Sequence, residues 1–435
     1  MPRLTTRALL ALAIPSVVFA LLTNAYRSVD QYWIQGVSTP AQAAIGSSTF
    51  VLITFYAVFH LVAGGAGPLV ARFTGANEPQ IRARIIGNGI VAAVGIAIVV
   101  GALGAAFSDP LAGALGLEGE TRAECAVYLR VISLTILPLV LTPLVDQSFI
   151  NMGNARIPMW LHGFSLALNI FLTPALIFGA TLGIAGAALA SNGSRAVTTG
   201  IGLLLLWKQA GLSVDCLRLG SEVWRIFRIG WPITMGIATY SLVYWGMLTT
   251  SISPLGPHVN AALGIGFSAL EGFTWPAFHG VSMALAAFVG RYLGAGQPEM
   301  ARLALKKSLP IVTALGFLAT VTFFFGGAFL TSLFTDDPLV HRAATEYAMI
   351  LAASQLFVSW ESIYEGVLTG AGATKTVFWL SAPGNVARIP LAWWMAYPLG
   401  MGAAGIWWAI NITTMLKAAA KAWVVYRGNW LEVEV

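Results

Sequence analysis

The sequence predicts an all-α polytopic membrane protein: twelve transmembrane helices in two six-helix bundles related by a pseudo-twofold axis along the membrane normal. Three observations predict it. Of the 435 residues, 57% are hydrophobic and only 10% are charged, whereas a soluble domain is about a quarter charged, and the mean hydropathy is +0.77. Apolar runs of roughly 20 residues, each long enough to carry a helix across about 30 Å of hydrocarbon, recur from end to end. The third observation is an internal repeat.

The spans fall near residues 8–34, 43–71, 82–107, 123–148, 157–178 and 181–207, then 223–252, 259–290, 303–330, 339–368, 376–397 and 400–426. The first follows Arg3 and Arg7 and has the outline of a secretory signal. Eleven further spans favour a retained helix. Lys and Arg are held on the cytoplasmic side of short loops. Arg72, Arg82, Arg84, Arg156, Lys208, Arg218, Arg225, Arg228, Arg291, Arg302, Lys306, Lys307 and Lys375 all fall in alternate loops. The intervening loops carry Asp109, Glu118, Glu120, Asp336 and Asp337. Both termini are therefore expected in the cytoplasm of a cell whose inner membrane holds the chain. The net charge of +6 reflects this loop bias and no nucleic-acid partner. Cys125 is expected near the outer end of its helix and Cys216 in a cytoplasmic loop, a topology that argues against a disulfide between them.

"ARFTGANEPQ" (71–80) and "GRYLGAGQPE" (290–299) share Arg, Gly, Ala and Pro at a shift of 219 residues (291 − 72). The same shift pairs "GIAGAALA" (183–190) with "GAAGIWWA" (402–409), Gly153 with Gly372, His60 with His279, and Asp146 with Glu365. A constant offset along the chain means a unit present twice. An even number of helices per copy puts both copies in the same orientation. The polar stretch "WKQAGLSVDCLRLGSEVWRIFRIG" (207–230) is the linker between an N-lobe, residues 1–210, and a C-lobe, residues 211–435. Rocking of two such lobes would alternate access to a cleft.

These paired loops, Asp30 in "SVDQYWIQG", "NMGNARIP" and "LTGAGATKT", and "LNIFLTPALIFG" followed by "LGIAGAALAS" resemble the multidrug and toxic compound extrusion (MATE) transporters. The resemblance spans nearly the whole chain in order, and its nearest flavour is the branch named after DNA-damage-inducible protein F. It implies an antiporter that exports amphiphilic, often cationic organic compounds in exchange for protons, or less favourably sodium, with no bound cofactor. Its expected partners are those small organic substrates and membrane lipids, and the expected state is a monomer.

A carboxylate in hydrocarbon costs about 2.5–3.5 kcal/mol on insertion scales, so it faces a cavity or a partner. Asp30 matches the acid that the family carries on its first helix, where protonation accompanies bending at a proline. Pro15 is the proline of that span. An Arg27–Asp30 ion pair one turn apart is the bland alternative, with Arg27 a tether. The family's second acid would stand at Thr173, whose hydroxyl does not titrate near neutrality. Asn169 and Ser191 are the expected polar neighbours of Asp30. In the second half, Glu271 precedes the bulky "GFTWP", and Glu361 stands in for the family's helix 10 acid. Glu361 and Glu365 are four residues apart on one face, and Arg388 is an alternative structural partner for one of them.

Asp146 and Glu365 are expected near the cytoplasmic ends of their helices, within reach of water, as structural or gating groups. His60 and His279 read more readily as packing residues than as proton carriers. Trp245, Trp275 and Phe278, with Tyr240 nearby, suit an aromatic wall for planar cations. Met283, with Met235 and Met247, would add an adaptable surface. A flippase for lipid-linked precursors or an uncoupled channel or scaffold is the alternative. The absence of Gly-x-x-x-x-Gly-Lys-Ser/Thr, His-Glu-x-x-His and Cys-x-x-Cys sequences argues against an enzyme.

Overall fold

The computed structural model describes residues 5–433, apart from the side chains of Arg27, Ser28, Gln31, Phe50, Ser268 and Ala269. The described residues are helical almost throughout, with no strand. In chain order the α-helices are α1 (Thr6–Ile34), α2 (Thr39–Gly75), α3 (Pro79–Ala106), α4 (Ser108–Ala114), α5 (Gly119–Leu134), α6 (Leu137–Met152), α7 (Arg156–Pro174) and α8 (Gly183–Ala210). The second half follows with α9 (Glu222–Met247), α10 (Pro257–Ile265), α11 (Glu271–Gly294), α12 (Pro298–Ser332), α13 (Pro338–Gly370), α14 (Thr374–Ala396) and α15 (Ala403–Arg427).

The expected fourth span is two helices. Residues 135–136 break it, and α5 and α6 meet at 55°. Pro138 in the first turn of α6 supplies the reason, since proline fits a helix start but disfavours helical geometry in the residue before it. The expected eighth span is likewise α10 and α11 joined by a π-helical turn at Gly266–Leu270. Six segments among the described residues are individually long and apolar enough to cross a membrane, and the α5–α6 pair makes a seventh. The remaining expected spans are helical too, but charges such as Arg388 in α14 and Lys417 and Lys421 in α15 interrupt their apolar runs.

The repeat is legible in the backbone. Ala76 N–H donates to the Arg72 carbonyl and Ala295 N–H to that of Arg291, both at 2.9 Å; Glu78 N–H reaches Phe73 at 3.0 Å and Gln297 N–H reaches Tyr292 at 2.8 Å. Between these bonds Asn77 (φ 59°) and Gly296 (φ 66°) take the left-handed turn, the conformation that Gly and Asn tolerate best. Pro79 and Pro298 then start the next helices, where a missing N–H costs nothing.

Packing divides the chain into two units, Leu21–Thr234 and Met1–Ala20 with Met235–Val435. Helices α1 and α9 thus each contribute to both. Within the first unit α9 lies against α2 so closely that a Cβ on Gly65 would sit 2.0 Å from the Ile226 carbonyl oxygen, and one on Gly230 1.9 Å from that of Leu61. Within the second unit a Cβ on Gly280 of α11 would sit 2.5 Å from the Val17 backbone of α1. The first unit's core gathers Ile34, Ile45, Tyr128, Leu129, Ile177 and Ile184. The second unit's core gathers Met247, Val259, Phe323, Tyr347, Trp407 and Ile410.

Candidate functional site

In the first unit Asp30 sits near the end of α1 and is only 8% exposed. The Ser191 hydroxyl of α8 donates to its Oδ2 at 2.7 Å. That hydroxyl in turn accepts from Asn169 Nδ2 of α7 at 3.2 Å. Asp30 Oδ1, Asn169 Oδ1 and Thr173 Oγ1 are buried with no hydrogen-bond partner among the described residues. Asn169 and Thr173 are one turn apart and therefore share a face of α7. Three helices thus bring one carboxylate, one amide and two hydroxyl side chains into one interior region. The Arg27 side chain lies outside the described residues, and with it the Arg27–Asp30 pair. Pro15 lies within α1, which runs through it unbroken.

Asp146 departs from its expected setting. It is 4% exposed, where water access was expected, because the His162 ring of α7 covers it and donates from Nε2 to Asp146 Oδ2 at 2.9 Å. The remaining ring nitrogen faces the Thr23 hydroxyl at 3.3 Å. Sequence reading passed over His162, since a lone histidine on an apolar helix shows no partner in sequence.

In the second unit Glu271, at the start of α11, accepts a 2.5 Å hydrogen bond from the Tyr347 hydroxyl of α13. Tyr240 and Tyr244 lie near it on α9, their rings 4.8 Å apart, and the Tyr244 ring also packs against Phe267 at 5.1 Å. Glu361 and Glu365 do share a face, but Arg388 neutralises neither. The partners are two lysines of α15: Lys417 and Lys421 hold Glu361 at 3.0 and 2.9 Å, and Lys421 holds Glu365 at 2.6 Å. Arg388 instead donates to the hydroxyls of Thr413 (3.0 Å), Thr414 (3.3 Å) and Tyr244 (3.4 Å). Lys417 and Lys421 were missed, though a signal existed: two lysines four apart mirror two glutamates four apart.

The aromatic candidates divide. Tyr240, Trp245 and Trp275 are exposed in the second unit, and Trp275 stacks on His279 at 4.7 Å. Phe278 and Met283 do not join them; they face the packed interior of their helix and are 1% and 8% exposed. Met235 is exposed and Met247 buried. His60 donates from Nδ1 to the Tyr56 carbonyl one turn back, at 2.8 Å.

Fold and composition together define a polytopic helical membrane protein with polar clusters inside each packed unit. The chain belongs to the MatE family, whose profile matches it twice, over residues 15–175 and 232–394. A "Probable multidrug resistance protein NorM" of Thermotoga maritima is 25% identical over 98% of this chain and 93% of its own length. One of the same name from Pseudomonas putida is 29% identical over 96% and 94%. The "Multidrug export protein MepA" of Staphylococcus aureus is 23% identical over 97% and 93%. Among solved structures, the fold matches an outward-facing multidrug resistance MATE transporter with a TM-score of 0.91 at 18% identity, covering 99% of this chain and 97% of that one. A MATE transporter from Vibrio cholerae matches at 0.89 and 18% identity, with 98% of each chain covered.

Proposed function

We propose that the protein is a secondary antiporter that exports amphiphilic, often cationic organic compounds in exchange for protons. It works by alternating access between an N-lobe of residues 1–210 and a C-lobe of residues 211–435. The observation that carries this reading is the Asp30–Ser191–Asn169 chain. Asp30 accepts from Ser191 on one oxygen, and its Oδ1, with no partner among the described residues, is the atom to take a proton or a substrate ammonium. A carboxylate that binds one of the two at a time couples their movements in opposite directions. No cation holds Asp30 within ion-pair distance among the described residues, in contrast to Glu361. That leaves it free to exchange.

Sodium is the less favoured coupling ion. Asp30 Oδ1, Asn169 Oδ1 and Thr173 Oγ1 are oxygen ligands of the kind a hard cation takes, yet Thr173 contributes no charge where the family's pattern has an acid. Glu271 is a second carboxylate that could load a proton. The exposed Tyr240, Trp245 and Trp275 supply aromatic faces for a flat cation. The antiporter operates as a monomer in the inner membrane with both termini cytoplasmic and no bound cofactor.

The test is dye uptake into proteoliposomes under separately imposed proton and sodium gradients, with wild type beside Asp30→Asn. A proton gradient is expected to drive uptake by wild type only. No gradient-driven uptake of any organic cation by wild type overturns the antiporter reading, and unchanged coupling in the variant removes Asp30 from it.

A further inference from the structure

Arg195 stands one helical turn beyond Ser191 on α8, and Tyr26 one turn before Asp30 on α1. Residues four apart share a helix face. The Arg195 guanidinium lies over the Tyr26 ring, 4.4 Å from its centre, and Nη1 donates to the Tyr56 hydroxyl of α2 at 3.4 Å. The Tyr26 hydroxyl is held in its turn by Ser165 of α7. A cation inside an apolar unit usually has a carboxylate within ion-pair distance. Among the described residues Arg195 has none, and it is docked on neutral phenols. The carboxylate on the same pair of helix faces is Asp30, whose Oδ1 has no hydrogen-bond partner among the described residues. One turn of helix is about 5.4 Å, a distance that rotation of a long arginine stem can cover.

We propose that Arg195 is an internal competitor cation for Asp30. The guanidinium rests on Tyr26 and Tyr56 when Asp30 is protonated or holds a substrate ammonium, and turns to Asp30 Oδ1 when the carboxylate is bare. The proposal rests on the antiporter reading and adds what expels the substrate. A proton arriving at Asp30 cancels its charge and leaves the guanidinium unbalanced, so the site becomes net positive and repels an organic cation. The bare site is net neutral, so Arg195 also sets how strongly a substrate must bind to displace it. Arg195 is thus a positioning and specificity-determining residue that acts through Asp30.

The titratable groups around the guanidinium are Tyr26 and Asp30 on α1, Tyr56 on α2 and Tyr128 on α5. His60 on α2 is turned to its own backbone, and Asp146 of α6 and His162 of α7 are occupied with each other. Asp30 is the one carboxylate among the groups around the guanidinium, and the others are phenols.

Two readouts on the purified full-length protein test this. The first is binding of tetraphenylphosphonium, a permanent cation. The second is an infrared titration of the carboxylic acid band assigned to Asp30 by its loss in Asp30→Asn. Arg195→Gln should bind the cation about three- to tenfold more tightly at alkaline pH and move the band's midpoint upward by roughly one pH unit, since an opposite charge favours the ionised carboxyl. Arg195→Lys should restore both, and neither binding change should appear in the Asp30→Asn background. Tyr56→Phe, which keeps the charge but removes one dock, should move the midpoint the other way. An unmoved band in Arg195→Gln, no rescue by lysine, or equal tightening without Asp30 overturns the proposal and leaves Arg195 a structural anchor. If wild type neither binds the probe nor shows gradient-driven uptake, the efflux reading fails on that ground. The infrared titration still decides the charge exchange.

Discussion

The interiors of the two units use the same scaffold for opposite electrostatic ends. In the first unit a carboxylate is held by a hydroxyl, and the arginine one turn away lies on phenols. In the second, one carboxylate is held by a phenol while two others are tied to buried ammonium groups. The offset of 219 residues makes the exchange explicit. Asp30 corresponds to Thr249, Asn169 to Arg388, Arg195 to Thr414, and Thr198 and Gly202 to Lys417 and Lys421. Charges that are loosely held in one copy are absent or locked in the other. Asp30 in the first copy has no cation within ion-pair distance among the described residues, whereas Glu361 in the second has two.

The sharpest way to break that comparison is to neutralise each acid in turn. Asp30→Asn should reduce proton-driven transport to the level of empty vesicles, whereas Glu271→Gln should leave a measurable rate. An equal loss in both would place the coupling in both units. Next in size is Lys421→Met, which leaves Glu361 and Glu365 underpaired and should destabilise the second unit by about 3–5 kcal/mol. The fall shows as a lower thermal midpoint in detergent, and much of it should return when Glu365→Met is added, because Lys421 is the cation that holds Glu365 whereas Glu361 keeps Lys417.

A smaller effect is expected where the units agree. Asn192 Nδ2 donates to the Ile132 carbonyl at 3.2 Å and Asn411 Nδ2 to that of Ile350 at 2.6 Å. Replacing Asn411 by Ala should cost about 0.5–1.5 kcal/mol, the net worth of one hydrogen bond, and replacing Asn192, which also donates to Thr135 Oγ1 at 2.8 Å, somewhat more, each read as a shift in thermal midpoint. The least effect belongs to Asp109, which is exposed and whose carboxyl Arg122 holds below the usual carboxylate range through bonds of 2.9 and 2.7 Å. A depressed pKa contributes stability that is present above the unfolded carboxylate value and lost as pH falls through the folded one. Asp109→Asn should therefore lower the thermal midpoint slightly at neutral pH and not at all in strong acid.

Fold class and repeat were legible because both rest on one-dimensional signals: apolar run length, a fixed offset, and Pro and Gly at turn positions such as Pro79, Pro298 and Gly296. The break at residues 135–136 was legible in principle from Pro138 but was read through as one span. The neighbours of Asp30 came from resemblance, since nothing in the local sequence says that residues 30, 169 and 191 meet. His162 and the two lysines of α15 escaped because a buried partner 16 or about 60 positions away leaves no local trace. Arg388 was paired by sign alone, and geometry assigned it hydroxyls.

The asparagines at 192 and 411 carry a further consequence for engineering. Each ties its helix to a carbonyl on the helix beside it, at places that match to within one residue. The two halves therefore supply a shared coordinate frame in which residues can be transplanted by adding or subtracting 219. A chain assembled from two first halves would carry the Asp30–Ser191–Asn169 cluster twice, and one from two second halves would carry it not at all, which makes the number of such clusters a designable quantity.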